Sequence, residues 1–410
     1  MNFQDRPSLL LVDDRPCTFT NYILARSDID VHLLRFEDSR ADLPQSYLTA
    51  TEDRPSFWVN DKESLEHEAD RYRKWLVGSE NRPTRFCNPS EPHQEAAQEF
   101  AREVGLPHLT STQVRWVRNK ADMKRRLREV GLRTAEYARV SSKSDVDDFG
   151  RVNGWPVVLK PVDSFACIDT FLLNNRAELE SQDLPDRPMM VESYQGGTEG
   201  ECCALIQDGR VLDVWPSFMP SRPLEMLDGA MNANISDRLL EHSPSSIRET
   251  VEAIVRAFQI DHGYLHMEYF FDGHETVVGE VGLRIAGCEI TANHGLAYGF
   301  DVFGATLDVY LGRRPNLSYT GDRVVGDLLL PMPESGVITE ITASEKLKRL
   351  PGVVEANIRV QRGDLVSTRR ASHHSAGYVH VAGGSVADVQ SRMQVVLDTF
   401  ELVVHPTLDG

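Results

Sequence analysis

The chain has 410 residues, 41% of them hydrophobic and 26% charged, which is a globular composition long enough for two or three domains around large cores. Its 62 acidic and 44 basic residues give a formal net charge of −18, which excludes a nucleic-acid partner and disfavours an anionic membrane, because binding phosphate needs basic surface. Six cysteines without a C-x-x-C pattern read as reduced thiols of a cytoplasmic protein; neither a signal peptide nor an apolar run of about 18 residues is expected.

From the N-terminus, P-S-L-L-L-V-D-D (Pro7 to Asp14) reads as a continuous apolar strand ending in two acids, as a strand buried on both faces should. Short apolar strands follow at 31–36, 56–60 and 84–88, with helices expected over 62–77 and 92–104. This alternation predicts a small open α/β sheet. No G-x-G-x-x-G follows Asp14, so no nucleotide is assigned there, and Asp13 and Asp14 read as a strand end rather than as ligands.

Asn119 should cap a helix that begins at Lys120 and runs to Gly131. Taken alone, Lys120 would read as a solvated first-turn lysine. G-W-P-V-V-L-K-P (Gly154 to Pro161) is a buried strand ending in Lys160, and a lysine there is seldom buried without a partner. P-M-M-V-E-S-Y (Pro188 to Tyr194) is a third apolar strand, stopping at Glu192. A turn at Asp208-Gly209 and a long helix over 245–258 lead to the most informative stretch, Gly263 to Gly287. It reads as two strands around Asp272-Gly273-His274, with Glu268 on the first arm and Glu280 and Arg284 on the second. Positions 268 and 280 are symmetric about 274, so an odd-length loop centred there sets both carboxylates opposite each other on one face.

Like charges paired across strands are destabilising. A hard cation such as magnesium, which shares carboxylates with nucleotide phosphates, reverses the sign. Arg284 lies four residues past Glu280, shares its face in a strand, and can clamp a phosphoryl or carboxylate group. His266 shares the face of Glu268, either supporting the site or satisfied in the core. E-I-T-A-N-H-G (Glu289 to Gly295) is expected to line a substrate pocket, and a helix follows over 301–311. Beyond Pro315 come strands at 324–331 and 377–383 and a helix at 386–397. His373-His374 read as loop residues, since no acid or cysteine accompanies them at ligand spacing.

This order of lysine, lysine, strand-end glutamate, glutamate pair and arginine resembles the ATP-grasp superfamily of carboxylate–amine ligases, and within it the amino-acid ligase branch. The resemblance implies a three-part architecture of α/β and α+β character. An N-terminal open α/β (Rossmann-like) domain would occupy 1–118, and a C-terminal α+β domain 313–410. The ATP-grasp domain between them would occupy 119–312, its first subdomain and lid taking 119–195. It also implies ATP and Mg2+ as cofactors, with Mn2+ an admissible substitute. Lys120 and Lys160 would neutralise the ATP phosphates, and Glu192 with the backbone of Ser193 and Tyr194 would read adenine. Glu199 would hold the ribose, with Glu201 as its close competitor. Glu268 and Glu280 would ligate metal, and Arg284 would act on the transferring phosphoryl group. His266, Gly287, Glu289 and His294 would meet substrate, Glu289 holding a substrate ammonium.

Two departures stand out. The segment after Lys160, Asp163 to Thr170, contains no glycine, so a lid there should be stiffer than a glycine-rich one or cradle ATP less closely. The metal strand reads E-V-G-L-R where many relatives read E-x-N-x-R, so Gly282 offers no side-chain ligand to a second ion. The implied activity is an ADP-forming ligase that activates a carboxylate, expected to be an amino acid, as an acyl phosphate and joins it to an amine. The alternatives are acyl transfer to a carrier-protein thiol and a nucleotide-binding subunit without turnover. Small-molecule substrates are the expected partners, and a homodimer is left open.

Overall fold

A computed structural model of the chain describes residues 6–60, 62–79, 81–332, 335–366 and 374–405; His373 of the expected His373-His374 loop lies outside them. The front sheet contains β1 (Ser8–Val12), β2 (Asp30–Phe36), β3 (Ser56–Val59) and β4 (Arg85–Cys87), all parallel and ordered β3-β2-β1-β4. All five residues of β1 are buried, because both of its faces are covered. Leu10 and Val12 face Tyr72 and Phe100 of the helices Leu65–Trp75 and Gln94–Glu103. Leu9 and Leu11 face the other way and share a core with Leu205, Tyr264 and Leu307. The continuous apolar run thus serves two cores at once, and the second joins the front to the middle of the chain.

The next sheet is small and antiparallel, built from β5 (Tyr137–Val140), β6 (Val157–Pro161), β7 (Phe171–Leu173) and β8 (Met189–Ser193) in the order β5-β8-β6-β7. The helix Lys120–Glu129 packs beside it, its first turn capped where the Asn119 side chain accepts from the Asp122 amide at 3.1 Å.

Six further strands, β9 (Thr198–Gln207), β10 (Arg210–Phe218), β11 (Ala233–Ser236), β12 (Gly263–Phe271), β13 (Thr276–Gly282) and β14 (Val324–Leu330), belong to a large sheet. Past them lie β15 (Gly336–Ile341), β16 (Val353–Ile358), β17 (Leu365–Val366), β18 (Gly377–Gly383) and β19 (Leu402–His405). The large sheet has eight strands ordered β13-β12-β9-β10-β11-β14-β18-β16, and β17-β15-β19 form a separate three-stranded sheet. The β11–β14 pairing carries the large sheet across residues 312–313, where the sequence suggested that a new domain begins. Helix Ile247–Phe258 covers one face of the sheet with Val251, Ile254, Val255 and Phe258, all buried. On the C-terminal part, helix Val386–Thr399 does the same with Val389, Met393 and Val396. Its opposite face, toward the small sheet and the front, carries the charged residues.

Candidate active site

The β12–β13 hairpin sets the geometry. Its loop, Asp272 to Glu275, has four residues and is organised by the Asp272 carboxylate, which accepts from the amides of His274 (2.9 Å) and Glu275 (2.8 Å). An even loop alone would have paired Glu268 with Gly279. A one-residue bulge instead leaves Gly279 unpaired and brings Glu268 opposite Glu280. The expected face-sharing of the two glutamates is therefore present, but the bulge and not an odd loop produces it. Glycine suits the bulge, because a Cβ there would stand 3.2 Å from the Glu268 carbonyl oxygen and 3.3 Å from the Phe270 ring. The Gly279 carbonyl, left out of the strand pairing, accepts from Lys124 Nζ at 3.0 Å.

The pairing extends one strand further. Glu268 of β12 is flanked by Glu280 of β13 and by Glu201 of β9, so three carboxylates stand in direct cross-strand register. Two residues along β9, Glu199 points to the same face. Burial and the neighbouring Glu280 push Glu268 up to about 7, and burial and Glu268 push Glu199 up to about 8. Lysines pair with this row and with the nearby Glu192. Lys120 Nζ is 2.8 Å from Glu280, while Lys160 Nζ is 2.5 Å and Lys124 Nζ 3.1 Å from Glu192. Burial works against ionised Glu192, but Lys124 and Lys160 outweigh it and hold the carboxyl at about 2. Arg284 does not reach the row as a free cation: its Nε bonds Glu91 at 2.6 Å, and Arg118 bonds the same carboxylate at 2.5 Å. Burial would raise Glu91, yet Arg284 and Arg118 keep it at about 2.

Two adjoining cavities flank the row. The smaller, about 220 Å³, is lined by Lys120, Lys160, Glu192, Ser193, Tyr194, Glu199, Glu201, Glu268, Glu280 and Arg284. The larger, about 620 Å³, shares Glu201, Glu268 and Arg284 with it and adds His266, Gly287 and Glu289, with Arg15 and Thr18 from the front. All the residues expected around ATP and metal are thus brought together, and three of the four expected at substrate line the larger space.

Four details bear on the expectations. The Ser193 and Tyr194 amides donate to the carbonyls of Glu136 (2.9 Å) and Pro156 (3.3 Å), so of their backbone groups the carbonyls remain for a base edge. His294 lines neither cavity; it is fully buried on helix Ile290–Tyr298 among Trp215 and Tyr298, and burial pushes it down to about 3. Glu289 is not free, because Arg359 and Thr18 (3.1 Å) hold its two oxygens. The glycine-free segment does adopt glycine-like backbone: Ala166, Cys167 and Asp169 have φ of 51°, 58° and 54°. It is held by Lys120 on the Ser164 carbonyl, by Arg118 on that of Asp163 (2.9 Å) and by Arg187 on the Asp163 side chain (2.8 Å). Small side chains at 166 and 167 tolerate this conformation where bulky ones would not.

Several participants escaped the sequence. Lys124 is one helical turn past Lys120, on the same face, so a signal was available. Glu91 is 193 residues from Arg284, and Arg359 is 70 from Glu289; nothing local marks either pair.

The donor set fits a metal-bound nucleotide: alternating ammonium and carboxylate groups around one opening, with the buried Asn234 Oδ1 left without a partner at its wall. Among the described residues no helix is long and apolar enough to cross a membrane.

The chain is similar to several known ligases. The family model for L-amino acid ligase C-terminal domain 2 matches residues 328–405. An L-arginine-specific L-amino acid ligase of Bacillus subtilis is 27% identical over 308 residues, 72% of this chain and 73% of that protein. Among solved structures, an L-amino acid ligase from Bacillus licheniformis superposes with a TM-score of 0.75 at 18% identity, over 98% of this chain and 99% of that one. A carboxyaminoimidazole ribonucleotide synthase from Aspergillus clavatus, complexed with ATP, does so at 0.70 and 16%, over 96% and 98%. In sequence the chain is thus similar to L-amino acid ligases, and its fold is that of the solved L-amino acid ligase and carboxyaminoimidazole ribonucleotide synthase.

Proposed function

We propose that this protein is an ATP-dependent, ADP-forming ligase that joins an amino acid, through its carboxylate, to an amine. A carboxylate oxygen of the substrate attacks the γ-phosphorus of ATP, the bond to the β–γ bridging oxygen breaks, and ADP leaves. The amine nitrogen then attacks the acyl carbon, the bond to the phosphate oxygen breaks, and the nitrogen loses a proton. Both steps depend on positioning and charge stabilisation, and neither needs a nucleophilic side chain.

The observation that carries this reading is the row Glu201–Glu268–Glu280, set between two lysines on one side and Arg284 on the other. In this reading Lys120 and Lys160 hold the phosphates and Glu199 the ribose, while Arg284 faces the transferring group. Glu268 and Glu280 would hold a magnesium ion, or manganese in its place, which would supply charge neutralisation and a template for the phosphates. The carbonyls of Ser193 and Tyr194 and the backbone beyond them are left for the base, since the two amides are engaged. Glu91 buttresses Arg284 through one charge-assisted bond and is itself held by a second from Arg118.

The larger cavity suits a zwitterion. Its wall carries Arg15, and the Glu289–Arg359 pair keeps acceptor capacity for an ammonium, because a carboxylate offers about four lone-pair sites. We read the enzyme as cytoplasmic, with small-molecule carboxylate and amine as its partners; a homodimer is compatible with this. The test is a screen of amino-acid pairs with labelled ATP. ADP and phosphate released together with a new amide is the expected result; AMP and pyrophosphate, or ADP released only with bicarbonate, would overturn the reading.

A further inference from the structure

Beside the Glu268–Glu280 pair lies a second convergence of ligand atoms. Glu201, His266 and Glu268 each place one ligand atom within 4.8 Å of the others. His266 is 95% buried, lines the larger cavity, and its Nε2 has no hydrogen-bond partner. A buried imidazole nitrogen with no hydrogen bond, 3.4 Å from one carboxylate and close to a second, calls for a ligand. Register explains the arrangement. His266 precedes Glu268 by two residues on one strand face, and Glu201 stands directly across from Glu268 on β9. On the other side His266 pairs with Gly282, which adds no side chain to crowd the imidazole. Asn234 Nδ2 donates to Glu201 Oε2 at 3.0 Å and fixes that carboxylate.

We propose that Glu201, His266 and Glu268 form a divalent-cation site of their own, sharing Glu268 with the nucleotide-linked ion and selecting a transition-series ion over magnesium. The proposal rests on the ligase reading for the location of that first ion. Two arguments favour a metal over a substrate ammonium. His266 Nε2 and Glu201 Oε2 are 3.4 Å apart. Ligands about 2.1 Å from one ion at a tetrahedral angle stand about 3.4 Å apart, whereas acceptors about 2.8 Å from an ammonium stand about 4.6 Å apart. The second argument is chemical. A neutral imidazole suits manganese, cobalt or zinc, while magnesium takes oxygen ligands.

The test uses the full chain without nucleotide. Mn2+ is titrated and followed by electron spin echo for coupling to a ligand nitrogen, and Co2+ by its visible absorption. The expected result is one ion with imidazole nitrogen coupling. His266→Gln should abolish the coupling, Glu201→Gln should weaken binding by about 10-fold or more, and Glu280→Gln should keep the nitrogen signal. Far-ultraviolet circular dichroism confirms that each variant is folded. Absence of nitrogen coupling in the parent protein, or coupling that survives His266→Gln, overturns the proposal. So does an unchanged Mn2+ titration in His266→Gln accompanied by a rise in KM for the amino acid alone, which would mark an ammonium site. ADP formation with magnesium but no nitrogen coupling sinks this site and leaves the ligase reading standing. Nitrogen coupling without ADP formation does the reverse.

Discussion

Two charge clusters only a few side chains apart behave in opposite ways. Around Glu192 the charges are closed on themselves: Lys124 and Lys160 both bond one buried carboxylate, and the bulge carbonyl of Gly279 takes a further Lys124 proton. Across Glu201, Glu268 and Glu280 the charges are open, three acids in register with Lys120 in direct contact with one of them. The first cluster holds its acid at about 2, and in the second burial drives the central acid to about 7. A closed cluster builds the wall of a site, and an open one leaves charge for a ligand to complete.

The largest expected effect removes the arginine beside the open cluster. Arg284→Ala should lower kcat by about 10³-fold while the Kd for ATP moves less than about threefold, since an interaction made in the transition state is lost. Equal losses in rate and ATP affinity would make Arg284 a nucleotide anchor with no separate part in phosphoryl transfer. Pre-steady-state ADP formation beside equilibrium nucleotide binding separates the two.

The closed cluster should answer in stability instead. Lys124→Met removes one partner of buried Glu192 and the donor to Gly279, and should destabilise the fold by about 3 kcal/mol in urea unfolding. A change below about 0.5 kcal/mol would show that Lys160 alone neutralises Glu192 and that the cluster is not closed as described.

A further effect concerns pH. Folding raises the pKa values of Glu268 and Glu199 to about 7 and about 8, above the unfolded carboxylate value of about 4.3. Their contribution to stability is therefore fully present in acid, and it falls as pH rises from about 4.3 through about 8. Saturating divalent cation should flatten this fall by binding the ionised row, and Glu268→Gln should flatten it without metal. A melting-temperature series from pH 5 to 8 that is indifferent to cation would show that the row is not an ion site.

How much of this was legible depended on range. The apolar run of β1, the cap at Asn119, the helices near 247–258 and 302–310 and the strand at 377–383 follow from local pattern and appear where expected. The Glu268–Glu280 juxtaposition was legible from symmetric spacing, yet its cause was misread. A bulge at Gly279 corrects an even loop, and a bulge depends on the neighbouring strand and on Lys124, not on spacing. His294 looked available because its segment is polar and followed by glycine; the fold instead turns that segment into a buried helix against Trp215.

What the sequence determined by itself was the set of chemical groups and their order along the chain, because hydrophobic period, caps and strand ends are written within a few residues. What the tertiary structure decided was which of those charges are spent and which are left open. Glu91 closing on Arg284, Arg359 on Glu289 and Glu201 falling into line with Glu268 each join residues dozens to hundreds of positions apart. In a buried site the neighbours across such distances set the charge balance, since interactions there are little screened by water.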